Sequence, residues 1–257
     1  MEPDLYRQMF GLQDQVAIVT GASRGLGQSM ALALGRAGAA VCIVGRQPNL
    51  DKTKQLMNDY GVDYIEVLAD LTCSQGIQSI IDATMDRWGK VDTLVNNAGT
   101  FLRKPSIEWT MEEWDFVVNV NLRAVFEICQ AAGKIMLRRK SGKIVNIASI
   151  LGFQGGYICP AYAASRHGVL GLTKALANEW AEHGINVNAI CPGYMDTDQN
   201  IDLFNDPIRS KELFARIPAK RWGSKSEIDG ACLFLSSSAS DYMNGQVVTV
   251  DGGWMGR

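Results

Sequence analysis

The sequence predicts one doubly wound α/β unit, a seven-stranded parallel sheet with helices on both faces. Three observations carry this. Short apolar runs rich in Val and Ile alternate with longer helical patterns along the chain, as a sheet buried on both faces requires. A glycine-rich turn joins the first such run to the first helical pattern. No repeat, charge block or Pro/Ser-rich linker interrupts the alternation, so residues 1–257 read as a single domain.

The elements follow in order. QVAIVT at 15–20 is the first strand, with a helix over 25–37. AVCIV at 40–44 is the second, with a helix over 50–60, and 64–68 is the third, with a helix over 74–88. The fourth strand ends at 93–96, and a long helical pattern covers 111–137. KIVNI at 143–147 is the fifth strand, with a helix over 161–182. Residues 186–190 form the sixth, 225–236 a further helix and 247–250 the last strand. Right-handed crossovers wind such a chain so that ligands meet the carboxyl ends of the strands.

Composition limits the partners. The 257 residues carry 25 Lys+Arg against 27 Asp+Glu, and 47% are hydrophobic. A nucleic-acid or membrane-surface role calls for a basic excess that is absent here, and no apolar run approaches a membrane span. Met1-Glu2-Pro3-Asp4 has neither the basic nor the apolar region of a signal peptide. The six cysteines include no CxxC, and two histidines, His167 and His183, give no zinc-ligand spacing. Reduced, mostly buried thiols and a cytoplasmic location are expected.

The first strand runs into Thr20-Gly21-Ala22-Ser23-Arg24-Gly25-Leu26-Gly27. Glycines at this spacing allow a tight turn and let backbone N–H groups approach a pyrophosphate, on which the following helix places its positive end. At the end of the second strand, where an acidic residue would hold the adenosine ribose of NAD, the chain has Gly45-Arg46. Arg46 and Arg24 suit a 2′-phosphate, which favours NADP(H) over NAD(H).

Further segments appear in a fixed order: Asn96-Asn97-Ala98-Gly99 after the fourth strand, Asn121 in the long helix, Ser149 after the fifth strand, Tyr162 thirteen residues on, Pro192-Gly193, and Asp251-Gly252-Gly253. With the glycine turn, this series resembles the short-chain dehydrogenase/reductase family over nearly the whole chain. The resemblance implies a Rossmann-type fold and an NAD(P)-dependent oxidoreductase acting on a secondary alcohol or ketone. It places Ser23, Arg24 and Leu26 with Gly21, Gly25 and Gly27 in the phosphate turn. Asp70 and Leu71 would stand at the adenine, Asn97, Ala98 and Gly99 along the cofactor, and Pro192, Gly193 and Thr197 at the nicotinamide.

Hydride transfer to or from a carbinol carbon needs proton transfer at its oxygen. Tyr162 is the expected acid/base, and a free phenol titrates at ~10, so it needs positive charge nearby. Ser149 would orient the substrate oxygen, and Asn121 would interrupt its helix and hold a water in the proton path. The family pattern Tyr-x-x-x-Lys is here Tyr162-Ala163-Ala164-Ser165-Arg166. Arg166 keeps the charge for the ribose and the phenol but does not readily give up a proton. Three readings follow: redox turnover at reduced rate, non-redox chemistry such as isomerisation or cyclisation, or nucleotide binding without turnover.

Within the family, Phe153-Gln154-Gly155-Gly156, residues 189–195 and residues 216–223 resemble the gluconate 5-dehydrogenase and 2-dehydro-3-deoxy-gluconate 5-dehydrogenase group. An anionic polyol would welcome a cation, for which Arg103, Lys104, Arg216 and Lys220 are candidates. Asp196 and Asp198 read as polar loop residues rather than a metal site. By resemblance, the apolar tail ending in Trp254-Met255 packs on neighbouring subunits of a homotetramer.

Overall fold

The computed structural model describes residues 3–197, 200, 201, 203 and 206–256. Met1, Glu2 and Asp198 lie outside the described residues. Strands β1 (Val16–Thr20), β2 (Ala40–Gly45), β3 (Tyr64–Leu68), β4 (Thr93–Asn96), β5 (Gly142–Ile147), β6 (Ile185–Pro192) and β7 (Val247–Val250) form one sheet. Their order is β3-β2-β1-β4-β5-β6-β7, and every neighbouring pair is parallel.

Alternate strand residues face opposite layers. Ile18, Cys42, Leu94 and Ile144 face one core, under α4 (Ser74–Trp88), α6 (Ala124–Arg139) and α7 (Pro160–Trp180). Val19, Val41, Val95 and Val145 face the other, under α2 (Gly25–Arg36) and α3 (Asp51–Asp59). Burial on both sides explains why the strands read as apolar runs rather than as alternating patterns.

Three differences from the expected elements matter. Helix α1 (Pro3–Phe10) precedes β1, and α8 (Pro207–Arg216) follows β6, both in stretches where no helix was expected. The long helix is two helices, α5 (Met111–Val118) and α6, joined by a π turn over Asn119–Arg123. Lys225–Ile228 forms a 3₁₀ turn ahead of α9 (Asp229–Ser236) rather than one continuous helix. In the tail, Trp254 is buried within its own chain beside Ile150 and Ile217, and its indole N–H donates to Gln154 Oε1 at 2.9 Å.

Cys42, Cys129, Cys159, Cys191 and Cys232 are buried, Cys73 is exposed, and none is in a disulfide. Burial pushes the Cys42 thiol up to about 11 and that of Cys129 to about 12, so both are protonated thiols at neutral pH. No helix among the described residues is long and apolar enough to cross a membrane.

Asp229 packs against α2, where its Oδ2 accepts from Ser29 at 2.9 Å while Oδ1 is buried without a hydrogen bond. Burial raises its pKa to about 6, with Ser29 and Arg36 opposing the rise. The folded value lies above the unfolded one, so the charged form destabilises the fold above pH ~6 and the penalty vanishes below ~4. Asp229→Asn is expected to raise stability at pH 7.5 by ~1 kcal/mol after allowance for solvent screening. Urea unfolding across pH checks this, the gain disappearing below pH ~4.

Candidate active site

The strand order reverses between β1 and β4, which opens a crevice at their carboxyl ends. Thr20 ties the two ends together. Its Oγ1 accepts from Asn97 N at 3.0 Å and Ala98 N at 3.1 Å and donates to Val95 O at 3.3 Å. The Asn97 amide returns the tie by donating to Thr20 O at 3.0 Å and Gly21 O at 3.2 Å. Gly21 and Gly25 hold φ of +67° and +60°, which the turn requires. A Cβ on Gly27 would strike both Gly21 O and Asn97 Nδ2, so this position is restricted by space rather than by φ. Behind the turn, Gln28 Nε2 donates to Thr53 Oγ1 at 2.8 Å, and Thr53 Oγ1 donates to Ala22 O at 2.9 Å.

A cleft of about 520 Å³ runs along this edge. Its wall includes Gly21, Ser23, Arg24, Gly25, Leu26, Arg46, Asp70, Leu71, Asn97, Ala98, Gly99 and Thr197. Thr72 donates its N–H and its hydroxyl to Asp70 Oδ1 at 2.9 and 2.7 Å. These bonds, with the charge of Arg46, hold the Asp70 carboxyl below its usual range. The left-handed glycines and the restriction at Gly27 shape a cradle that fits a dinucleotide pyrophosphate.

A cavity of about 120 Å³ adjoins the cleft and carries Ser149, Tyr162, Arg166, Pro192 and Gly193. Leu26, Asn97, Phe101 and Thr197 line both spaces. Ser149 Oγ accepts from Leu151 N at 3.1 Å, which leaves its hydrogen to donate. Tyr162 is 8% exposed, and its ring meets Phe101 edge-on at 4.6 Å between centroids.

Arg166 is 4% exposed. Its guanidinium carbon lies 4.9 Å from the Tyr162 ring centroid, and Nη1 donates to Ile147 O at 2.9 Å. Nη2 occupies the space that a Cβ on Gly99 would fill, and Nε is buried without a hydrogen bond. Arg166 thus sits where the Tyr-x-x-x-Lys spacing puts it, anchored to the end of β5.

Asn121 interrupts the long helix, as expected. It lies in the π turn but is fully buried and lines neither space. Its Oδ1 accepts from Thr100 N at 2.8 Å, and its Nδ2 donates to Thr100 O at 2.9 Å and Ser165 Oγ at 3.3 Å. With its amide engaged in this way, Asn121 positions the segment after Gly99 instead of facing the cavity.

The candidate cations separate. Arg103 lines the cavity, its guanidinium carbon 4.8 Å from the Phe101 ring centroid. Lys104 pairs with Glu113 at 2.8 Å, Lys220 donates to Ala215 O at 3.0 Å, and Arg216 stacks on Trp254 at 4.0 Å. Asp196 is exposed, and no group of metal-ligating side chains occurs among the described residues. Sequence reasoning missed Phe101, which no motif marks and which lines both spaces, and it missed helix α8. The Asp206-Pro207 pair signals that helix: Asp206 Oδ1 accepts from Ile208 N and Arg209 N, both at 3.0 Å.

A phenol and a serine hydroxyl at the end of a dinucleotide cleft define the class, a nicotinamide-dependent oxidoreductase. A family profile described as enoyl-(acyl carrier protein) reductase matches residues 21–255. The chain is 45% identical over 249 residues to 2-dehydro-3-deoxy-D-gluconate 5-dehydrogenase of Escherichia coli K12, covering 96% of this chain and 98% of that protein. It resembles the NADP-bound structure of a proposed 2-deoxy-D-gluconate 3-dehydrogenase from Agrobacterium tumefaciens, with TM-score 0.91 and 46% identity, covering 96% and 99% of the two chains. It also resembles gluconate 5-dehydrogenase of Burkholderia cenocepacia J2315 in complex with NADP and tartrate, with TM-score 0.93 and 36% identity, covering 98% and 99%. The chain belongs to the short-chain dehydrogenase/reductase family and is an NAD(P)-dependent oxidoreductase.

Gly27→Ala is expected to push the turn away from Asn97, at a cost of about 1–3 kcal/mol. NADPH affinity should fall about tenfold or more, as read by fluorescence titration.

Proposed function

We propose that the chain is a single-domain, NADP(H)-preferring dehydrogenase of sugar acids that works as a cytoplasmic homotetramer. The observation that carries the reaction is the shared wall between the nucleotide cleft and the cavity holding Ser149, Tyr162 and Arg166. When bound, the nicotinamide supplies or accepts the hydride. The Tyr162 hydroxyl moves the proton at the substrate oxygen, and Ser149 donates a hydrogen bond to that oxygen. Arg166 holds a fixed positive charge beside the phenol and would hold the nicotinamide ribose. Asn121 keeps Thr100 and Ser165 in register beneath the site.

NADP preference rests on Arg24 and Arg46 in the cleft wall, with no acidic residue at position 46. The sugar-acid reading rests on the names of the relatives and on Arg103 in the cavity wall. The six unpaired thiols suit a reducing compartment. The edge strand β7 and the exposed Phe126 on α6 suit subunit contacts. No observation favours the non-redox readings.

The test follows NADPH absorbance with NADP⁺ and D-gluconate or 2-dehydro-3-deoxy-D-gluconate. Turnover in the parent chain supports the reading, and its absence in a chain that still binds NADPH overturns it. Tyr162→Phe is expected to lower kcat by ~10²–10⁴-fold with NADPH binding retained. Arg166→Lys should sustain turnover at least equal to the parent's, the lysine being able to pass a proton. Arg46→Asp should shift the NADP-to-NAD preference toward NAD by about tenfold or more, seen in the ratio of kcat/KM values.

A further inference from the structure

Arg209 lies in the first turn of α8 and reaches the loop that precedes α7. Its guanidinium carbon is 5.3 Å from the ring centroid of Tyr157, a residue 73% exposed and two positions before Cys159, which packs with Tyr162. The neighbouring Ile158 joins this loop to the rim of the cavity at Lys104, next to Arg103 of the wall. It holds φ at +52°, a strained conformation for a β-branched residue, and its carbonyl accepts from Lys104 N at 2.9 Å. Two acids lie three residues away, Asp206, which is engaged in capping α8, and Glu212, which is exposed on the next turn. Among the described residues Arg209 makes no ion pair.

The charge of Arg209 reaches two residues beside the cavity. Burial raises the Cys159 thiol, and Arg103 and Arg209 oppose the rise. Burial likewise raises the Tyr194 phenol, against Arg103, Arg216 and Arg209. The cavity wall holds Arg103 and Arg166 and no carboxylate among the described residues. A cation at such a rim governs the capture of anions and its salt dependence more than the chemistry inside. Its exposed contact with Tyr157 is weak enough to break and re-form as a ligand passes.

We propose that Arg209, parked over Tyr157, is a specificity-determining residue that draws carboxylate-bearing hydroxy acids into the cavity. The inference rests on the sugar-acid reading. Its test is calorimetric titration of D-gluconate into the NADPH-saturated protein at low and at high salt. Arg209→Gln is expected to weaken binding roughly three- to tenfold at low salt and to remove most of the salt dependence. Arg209→Lys, which keeps the charge, should restore both, with the unfolding midpoint and NADPH affinity unchanged in either variant. Unaltered affinity and salt dependence in Arg209→Gln, or a loss that Arg209→Lys does not restore, overturns the role of Arg209 and leaves the sugar-acid reading standing. A parent chain that binds NADPH but neither D-gluconate nor 2-dehydro-3-deoxy-D-gluconate overturns both.

Discussion

The hydrogen-bonded tie between Thr20 and Asn97 is the constraint on which the site depends. Parallel strands β1 and β4 end side by side, and their last residues could splay. The Thr20 hydroxyl instead accepts from two successive N–H groups beyond β4, while the Asn97 amide donates to two successive carbonyls at the end of β1, those of Thr20 and Gly21. Each such bond contributes ~0.5–1.5 kcal/mol when buried, and together they set the shape of the glycine turn before any nucleotide arrives. A second buried polar chain supports the neighbouring strand. Asn96 donates to Asn146 at 2.9 Å, and Asn146 donates to Thr173 on α7 at 2.9 Å. The helix that carries Tyr162 and Arg166 is thereby linked to the strands that carry the nucleotide cradle.

Arg166 shows how a family position can change its chemistry and keep its place. The guanidinium is larger than an ammonium group, and it is accommodated by Ile147 O on one side and the bare Gly99 on the other. It stacks on Tyr162, which meets Phe101, which in turn lies under Arg103. Two cations therefore bracket two aromatic rings. The arrangement places two guanidinium charges in the cavity wall.

Strand positions were legible because each strand is buried on both faces and must be apolar throughout. The glycine turn was legible because its backbone angles and close approaches admit few other residues. Helix α8 was not, since of its residues only Ser210 is buried and its sequence PIRSKELFAR offers no apolar stripe. Its capping pair was the available signal. The contact of Arg209 with Tyr157 joins segments 52 residues apart in number and leaves no local trace. Asn121 was legible as a break in the helix, yet the partners of its amide depend on how Thr100 and Ser165 pack, which spacing does not encode.

The π turn at Asn119–Arg123 works as a phase adjuster. One extra residue in a turn rotates everything after it by about 100° relative to everything before it. Val117 on α5 thus belongs to the small cluster around Tyr162, while Val125, Ile128 and Cys129 on α6 belong to the main core. Residues 111–137 look like one helix but carry two registers, and α5 and α6 answer to different packing demands. Substitutions on the buried face of α6 bear on the stability of the sheet, whereas those on α5 bear on the shape of the cavity.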